Sequence, residues 1–119
     1  MDHYTEEEYE IGIAIFTKLI EQDRSINLPI SYRNRGKIYF TRGKMFFDEG
    51  DLTNALKDYY KAIDLNPNYD TAYNDRGEIY LFIGKYELAY SDFAQALKIN
   101  PNYKKALENL KITKKRLSE

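Results

Sequence analysis

Apolar residues recur along the chain at three- and four-residue spacings and nowhere alternate as a half-buried strand would require. Tyr9, Gly12, Ile13, Phe16, Leu19 and Ile20 form the first such stripe, and Thr5 followed by Glu8 reads as a capping box ahead of it. The spacing predicts a helix over about residues 6 to 23. Ser25-Ile26-Asn27-Leu28-Pro29 then interrupts the pattern, because Pro29 lacks an amide donor and biases Leu28 away from helical backbone. A longer second helix is predicted from Ile30 to about Glu49. Gly50-Asp51 should stop it and cap a third over about 52 to 64, whose stripe is Leu52, Ala55, Leu56, Tyr59, Ala62 and Ile63. Helices at about 70 to 83, 86 to 98 and 104 to 118 follow, punctuated by Asn66-Pro67, Gly84-Lys85 and Asn100-Pro101. The last carries Ala106, Leu107, Leu110 and Leu117 on one face and basic residues on the other, as a solvating cap would.

Residues 36 to 69 lie on residues 70 to 103 without a gap when the chain is slid by 34. Tyr39 falls on Tyr73, Arg42-Gly43 on Arg76-Gly77, Gly50 on Gly84, Ala55 on Ala89, Asp58 on Asp92, Ala62 on Ala96, and Asn66-Pro67-Asn68-Tyr69 on Asn100-Pro101-Asn102-Tyr103. A second register also exists: Tyr32 to Lys44 aligns with Tyr73 to Lys85 at an offset of 41, seven more than the period. Seven residues are about two helical turns, so the second helix is expected to be continuous, with a two-turn N-terminal extension.

These residues resemble the tetratricopeptide repeat, a helix-turn-helix unit of this period with small residues and an aromatic at fixed places and a closing proline. The resemblance covers two full units and a lone final helix. It implies one all-α domain over 1–119, a right-handed superhelical stack of about six helices: a degenerate N-terminal helix and loop (1–29), a first repeat with an extended first helix (30–69), a second repeat (70–103) and a capping helix (104–119). Gly43 and Gly77 would sit where the helices of a unit approach most closely. Arg42 and Arg76 depart from the pattern, which more often has leucine there. Residues 9 to 24 look like the second helix of an earlier unit, with Gly12 and Phe16 in the small and aromatic places and Arg24 replacing the proline.

Composition narrows the functional classes. The 119 residues are 43% hydrophobic and 31% charged, enough for one ordinary core with a solvated exterior. There is no cysteine, which excludes disulfides and thiolate chemistry, and no apolar run approaches a membrane span. With an acidic start, MDHYTEEEYE, where a secretory signal would be basic and then apolar, the expectation is a cytoplasmic protein. The single histidine, His3, has no neighbouring ligand set, and no phosphate loop or nucleophile motif is present, so neither an enzyme, a cofactor nor a metal is expected. The net charge of −1 and a pI near 5.9 argue against a dedicated nucleic-acid binder, although the final helix is basic.

Arg42 and Asp58 stand 16 apart, as do Arg76 and Asp92, so each pair is expected to bridge the two helices of its unit as a structural ion pair. Arg35, lacking such an aspartate, would turn to the first helix, toward Glu21 or Asp23. Tyr39, Tyr59, Tyr69, Tyr73, Tyr80 and Tyr103 are expected in the core or the turns rather than on a base-stacking surface.

The resemblance implies a protein-interaction module that holds a peptide or protein segment in a concave groove lined by the first helices. Its groove positions fall on Lys37, Phe40, Lys44, Phe47 and Asp48, with Arg33 continuing that face. On the next first helix they are Thr71, Asn74, Glu78, Leu81 and Phe82, and on the cap Lys105, Glu108 and Ile112. Cations beside aromatics suit an acidic, apolar peptide. The full carboxylate clamp of related modules, which holds the acidic tails of heat-shock chaperones, is incomplete: Lys105 matches, but Asp75 and Asn109 replace its asparagine and arginine. A competing class is self-assembly. Ile11 and Ile15 lie off the stripe of the first helix and predict a contact between copies, as a homodimer.

Overall fold

A computed structural model of the chain describes residues 4–22 and 27–119. Six helices account for its regular structure: α1 (Glu6–Gln22), α2 (Leu28–Phe46), α3 (Glu49–Leu65), α4 (Asp70–Phe82), α5 (Tyr86–Ile99) and α6 (Lys104–Leu117). His3, Asp23 and Arg24 lie outside the described residues. The all-α class and the helix order agree with the hydrophobic spacing. The helices divide into two units, one ending at Leu65 and the other starting at Asn66. Each unit is an antiparallel hairpin with one further helix packed on it.

In the first unit the predicted capping box forms: Glu8 N donates to Thr5 Oγ1 at 3.1 Å, and Thr5 N donates back to Glu8 Oε1 at 3.2 Å. Helix α1 lays Tyr9 and Gly12 toward α2, so close that a Cβ on Gly12 would stand 2.9 Å from Ile38 Cδ1. Pro29 does not keep Leu28 out of the helix as expected; α2 starts at Leu28, two residues before the expected Ile30, and Pro29 sits in its first turn, where its missing N–H has no intrahelical acceptor in any case. Helix α2 ends on Phe47, held left-handed at φ 53°. Asp48 then caps α3, its Oδ1 accepting from Gly50 N at 2.9 Å and Asp51 N at 3.2 Å. Gly50-Asp51 therefore lies inside α3 rather than ahead of it, and the stop is made by Phe47-Asp48.

The expected N-terminal extension of α2 is corrected by the packing across the hairpin. Gly36 is buried against Tyr59, where a Cβ would be 2.9 Å from the ring, just as a Cβ on Gly77 would be 2.6 Å from Phe93. Gly36, not Gly43, thus holds in its hairpin the position that Gly77 holds in the other. Between the matched contacts the first hairpin has seven extra residues, and these lie toward its turn. They are divided between the end of α2 and the start of α3, since a hairpin can stay in register only if both arms lengthen. Gly43 is a second close approach, against Leu52 and Asp51.

In the second unit Gly84 takes φ +82° to end the first arm, a conformation open to glycine at little cost. Asn66 and Asn100 each accept from the amide two residues on, at 3.2 Å, which folds the Asn-Pro-Asn-Tyr turns. Asn100 Nδ2 also donates to Asp70 Oδ2 at 3.0 Å, tying the end of α5 to the start of α4. Ile79, Ala89, Phe93 and Ala96 are wholly buried here, as Ala55, Tyr59 and Ala62 are in the first unit. The predicted face of α6 is corrected in part: Ala106 is buried as expected, but Asn109 and Thr113 are buried with it, while Leu107 and Leu117 are exposed.

Candidate functional site

The ion pairs form, with one exchange of partners. Arg76 grips Asp92 with two hydrogen bonds, Nε to Oδ2 at 2.8 Å and Nη2 to Oδ1 at 2.7 Å. In the first hairpin Asp58 is held in the same way by Arg35, at 2.8 and 2.7 Å, and not by Arg42. Arg42 instead takes Asp51, at 2.6 and 2.8 Å. The seven added residues put Arg42 one rung nearer the turn, opposite an aspartate that is likewise seven before Asp58. Arg35 does reach α1, but at Thr17, to which its Nη1 donates at 3.1 Å.

Aromatic rings fix the guanidinium planes. Arg35 lies 5.6 Å from the Tyr32 ring centroid and 6.0 Å from that of Tyr39, and Arg42 is also 6.0 Å from that of Tyr39. Arg76 is flanked likewise by Tyr73 and Tyr80, at 5.7 and 5.9 Å. These tyrosines are half-buried beside cations rather than core residues, and they provide the cation–π contacts that let arginine stand where leucine is usual. Burial pushes the Asp58 and Asp92 carboxyls up, opposed by the hydrogen bonds of their arginines, while Asp58, Asp51 and Asp92 raise the pKa of Arg35, Arg42 and Arg76. Each of these three guanidinium groups is thus engaged with a carboxylate across its own hairpin.

The expected groove residues are distributed unevenly. On α2, Lys37 and Lys44 are exposed and Arg33 half-buried, with Arg33 Nη1 donating to Asn34 Oδ1 at 3.4 Å. Phe40 is not an exposed anchor: only 5% exposed, it lies beneath the Lys44 ammonium, 4.4 Å from the ring centroid. Phe47 and Asp48 are not on the helix face, because they make the turn. A cleft of about 370 Å³ adjoins Lys37, lined also by Tyr4, Glu8, Tyr9, Gly12, Ile38 and Thr41.

In the second unit Asn74 is buried, contrary to its expected place on a groove wall. Its Oδ1 accepts from Asn109 Nδ2 at 3.1 Å, and the same amide donates to Glu78 Oε2 at 3.1 Å. Lys105 Nζ stands 3.7 Å from that Glu78 oxygen. The resemblance assigns Asn74, Glu78 and Lys105 to the groove and Asn109 to a clamp position; what it does not reveal is that both asparagines turn inward. Thr113 Oγ1 satisfies itself on Asn109 O at 2.7 Å. Thr71 and Leu81 are half-buried, and Phe82, Glu108 and Ile112 exposed. Among the described residues no cluster of His, Cys, Asp or Glu is arranged to hold a metal ion, and no helix is long and apolar enough to cross a membrane.

Paired helices with a glycine under an aromatic, an Arg–Asp clasp and an Asn-Pro turn, written twice, define an all-α protein of repeated helical hairpins. A family model described as "TPR repeat" matches residues 43–82, and one described as "Tetratricopeptide repeat" matches residues 71–103. The chain belongs to the tetratricopeptide repeat family. Among solved structures it is similar to the first such domain of Spaghetti (RPAP3) bound to the HSP90 peptide SRMEEVD, with 26% identity and a TM-score of 0.81 over 95% of this chain and 82% of that one. It is also similar to the second domain of human RPAP3 in complex with the HSP70 peptide SGPTIEEVD, with 29% identity and a TM-score of 0.76 over 92% and 83% of the two chains. The Sgt2 domain of Aspergillus fumigatus shares the fold at 21% identity and a TM-score of 0.79, over 95% of this chain and 70% of that one. A search of curated protein sequences found no match.

Proposed function

We propose that the chain is a non-catalytic interaction module whose first helices receive an acidic, apolar peptide segment. The observation that carries this reading is the face of α2, where Lys37 and Lys44 are exposed about two helical turns apart and Lys44 lies across the buried Phe40 ring. Two ammonium groups at that spacing can take carboxylates of an extended peptide, and the rigid helix beneath them keeps the ordering cost on the protein side low. The two RPAP3 relatives hold peptides that end in Glu-Glu-Val-Asp, which combine acids with an apolar residue.

The second unit adds a mixed rather than a cationic surface. Glu78 offsets Lys105 there, so the carboxylate grip is assigned to α2 of the first unit, while the second unit by itself exposes Phe82 on α4 and Ile112 on α6. The chain is read as a cytoplasmic protein in this role.

Calorimetric titration with SRMEEVD tests the proposal. Binding is expected at about micromolar Kd, weakening as salt rises, because exposed charges are screened. Lys37→Glu with Lys44→Glu should weaken it at least tenfold with the helical circular dichroism unchanged. Equal affinity in that double variant would overturn the assignment.

A further inference from the structure

We propose that the outer face of α1 is a self-association surface, on which α1 of a second copy packs antiparallel, with Ile11 of each chain against Ile15 of the other. The inner face of α1 is already used: Tyr9 is buried, Gly12 abuts Ile38, and Thr17 accepts from Arg35. The opposite side nevertheless carries Ile11 and Ile15, each 53% exposed, with Leu19 beside them at 44%. A surface helix with one packed face needs no second apolar stripe.

What occupies that stripe follows from its order. Glu8, Ile11, Ile15 and Lys18 are spaced three, four and three residues apart and follow one strip along the helix, which starts at Glu8 on the border of the Lys37 cleft and runs over the outer face. Turned end for end about position 13, the stripe maps onto itself: 11 exchanges with 15, and 8 with 18. A two-fold axis therefore sets isoleucine on isoleucine twice and brings Glu8 to Lys18 twice, the self-complementarity that an isologous contact demands. A parallel pair would place Glu8 beside Glu8 and Lys18 beside Lys18, so the charges select the antiparallel arrangement. The helix cap is compatible with this, because Thr5 uses only Oε1 of Glu8 and Oε2 is the oxygen that meets Lys18. One helix pair buries less than the roughly 1,600 Å² of a standard interface, so the dimer should be weak, with Kd of about 10–100 µM.

The chain has no cysteine, which makes the register directly readable. Ile11→Cys and Ile15→Cys chains are mixed in equal amounts and oxidised under mild conditions, and sedimentation of the unmodified chain is followed over the same concentrations. The expected result is a concentration-dependent dimer and a mixed 11-to-15 disulfide several-fold more abundant than either like pairing. Ile11→Glu with Ile15→Glu should be monomeric with unchanged helical circular dichroism. A monomer throughout at about millimolar concentration, disulfides favouring like positions, or a dimer that survives the double glutamate variant would each overturn the proposal.

Discussion

Arg42 binds Asp51 in the same bidentate geometry in which Arg35 binds Asp58, seven residues further along α2 and seven residues back along α3. The two pairs are rungs of one antiparallel ladder, joined by the Tyr39 ring that touches both guanidinium groups. Double-mutant cycles should resolve the rungs. Arg42→Ala and Asp51→Ala are expected to couple by about 1–3 kcal/mol, whereas Arg42→Ala and Asp58→Ala, about 10 Å apart along the helix, should add within about 0.5 kcal/mol. Denaturant unfolding measures both, and strong coupling of Arg42 to Asp58 would contradict the ladder.

The buried aspartates give the clasp a pH signature. A carboxyl whose folded pKa is raised contributes stability that is complete below its unfolded value, near 3.8 for Asp58, and lost as pH rises through the folded value. In Arg35→Met the hydrogen bonds that oppose burial are gone, so the Asp58 carboxyl should move higher still. The variant should be closest to the parent at acid pH and fall behind as pH rises, by about 2 kcal/mol or more at pH 7. Urea midpoints compared at pH 4 and pH 7 check the sign, and a gap that narrows with pH would refute it.

A methyl group at position 77 has no room while the Phe93 ring stands where a Cβ would be 2.6 Å away. Gly77→Ala is expected to cost about 1–3 kcal/mol, and Phe93→Ala about 3–5 kcal/mol through an unfilled cavity. Combining Gly77→Ala with Phe93→Leu should cost less than the two changes separately, because the smaller side chain vacates the space. Thermal unfolding of Gly77→Ala, Phe93→Leu and their combination decides it, with strict additivity as the contrary result.

Phe47 holds a left-handed backbone with its side chain 84% exposed, so it bears conformational cost with little burial in return. Phe47→Gly should raise stability by about 0.5–1 kcal/mol, read as an increase in melting temperature. A fall would mean that the ring contributes packing at the tip of the hairpin.

How far the sequence discloses this arrangement varies with the element. Thr5 and Glu8 locate the start of α1, and the 16-residue step from Arg76 to Asp92 yields a correct pair, because local chemistry and helical period decide both. The same 16-residue step misassigns Arg42, since Tyr32-x-x-Arg35-Gly36 and Tyr39-x-x-Arg42-Gly43 are two copies of one motif and the chain fits its repeat equally well with either. The deciding fact is that Tyr59 packs on Gly36. A signal was available in Asp51, which precedes Asp58 by the same seven residues. The inward turn of Asn74 and Asn109 left no such trace, because hydrophobic periodicity assigns polar residues to the outside and says nothing of two amides that satisfy each other.

The additional heptad also makes the first hairpin a graduated spacer. Divided between two arms, seven residues carry the turn outward by about 5 Å, one helical turn, while every rung behind it keeps its angular phase. Four residues added to one arm alone would instead slide everything beyond them by about 6 Å along the other arm. Excising Arg42 through Asp48 would join Thr41 to Glu49, bring Gly50 to the place that Gly84 holds in the other hairpin, and leave Arg35 and Asp58 separated as Arg76 and Asp92 are. The reach of Met45, Phe46 and Phe47 from their own hairpin can therefore be set in whole turns, without altering the clasp that holds the two arms together.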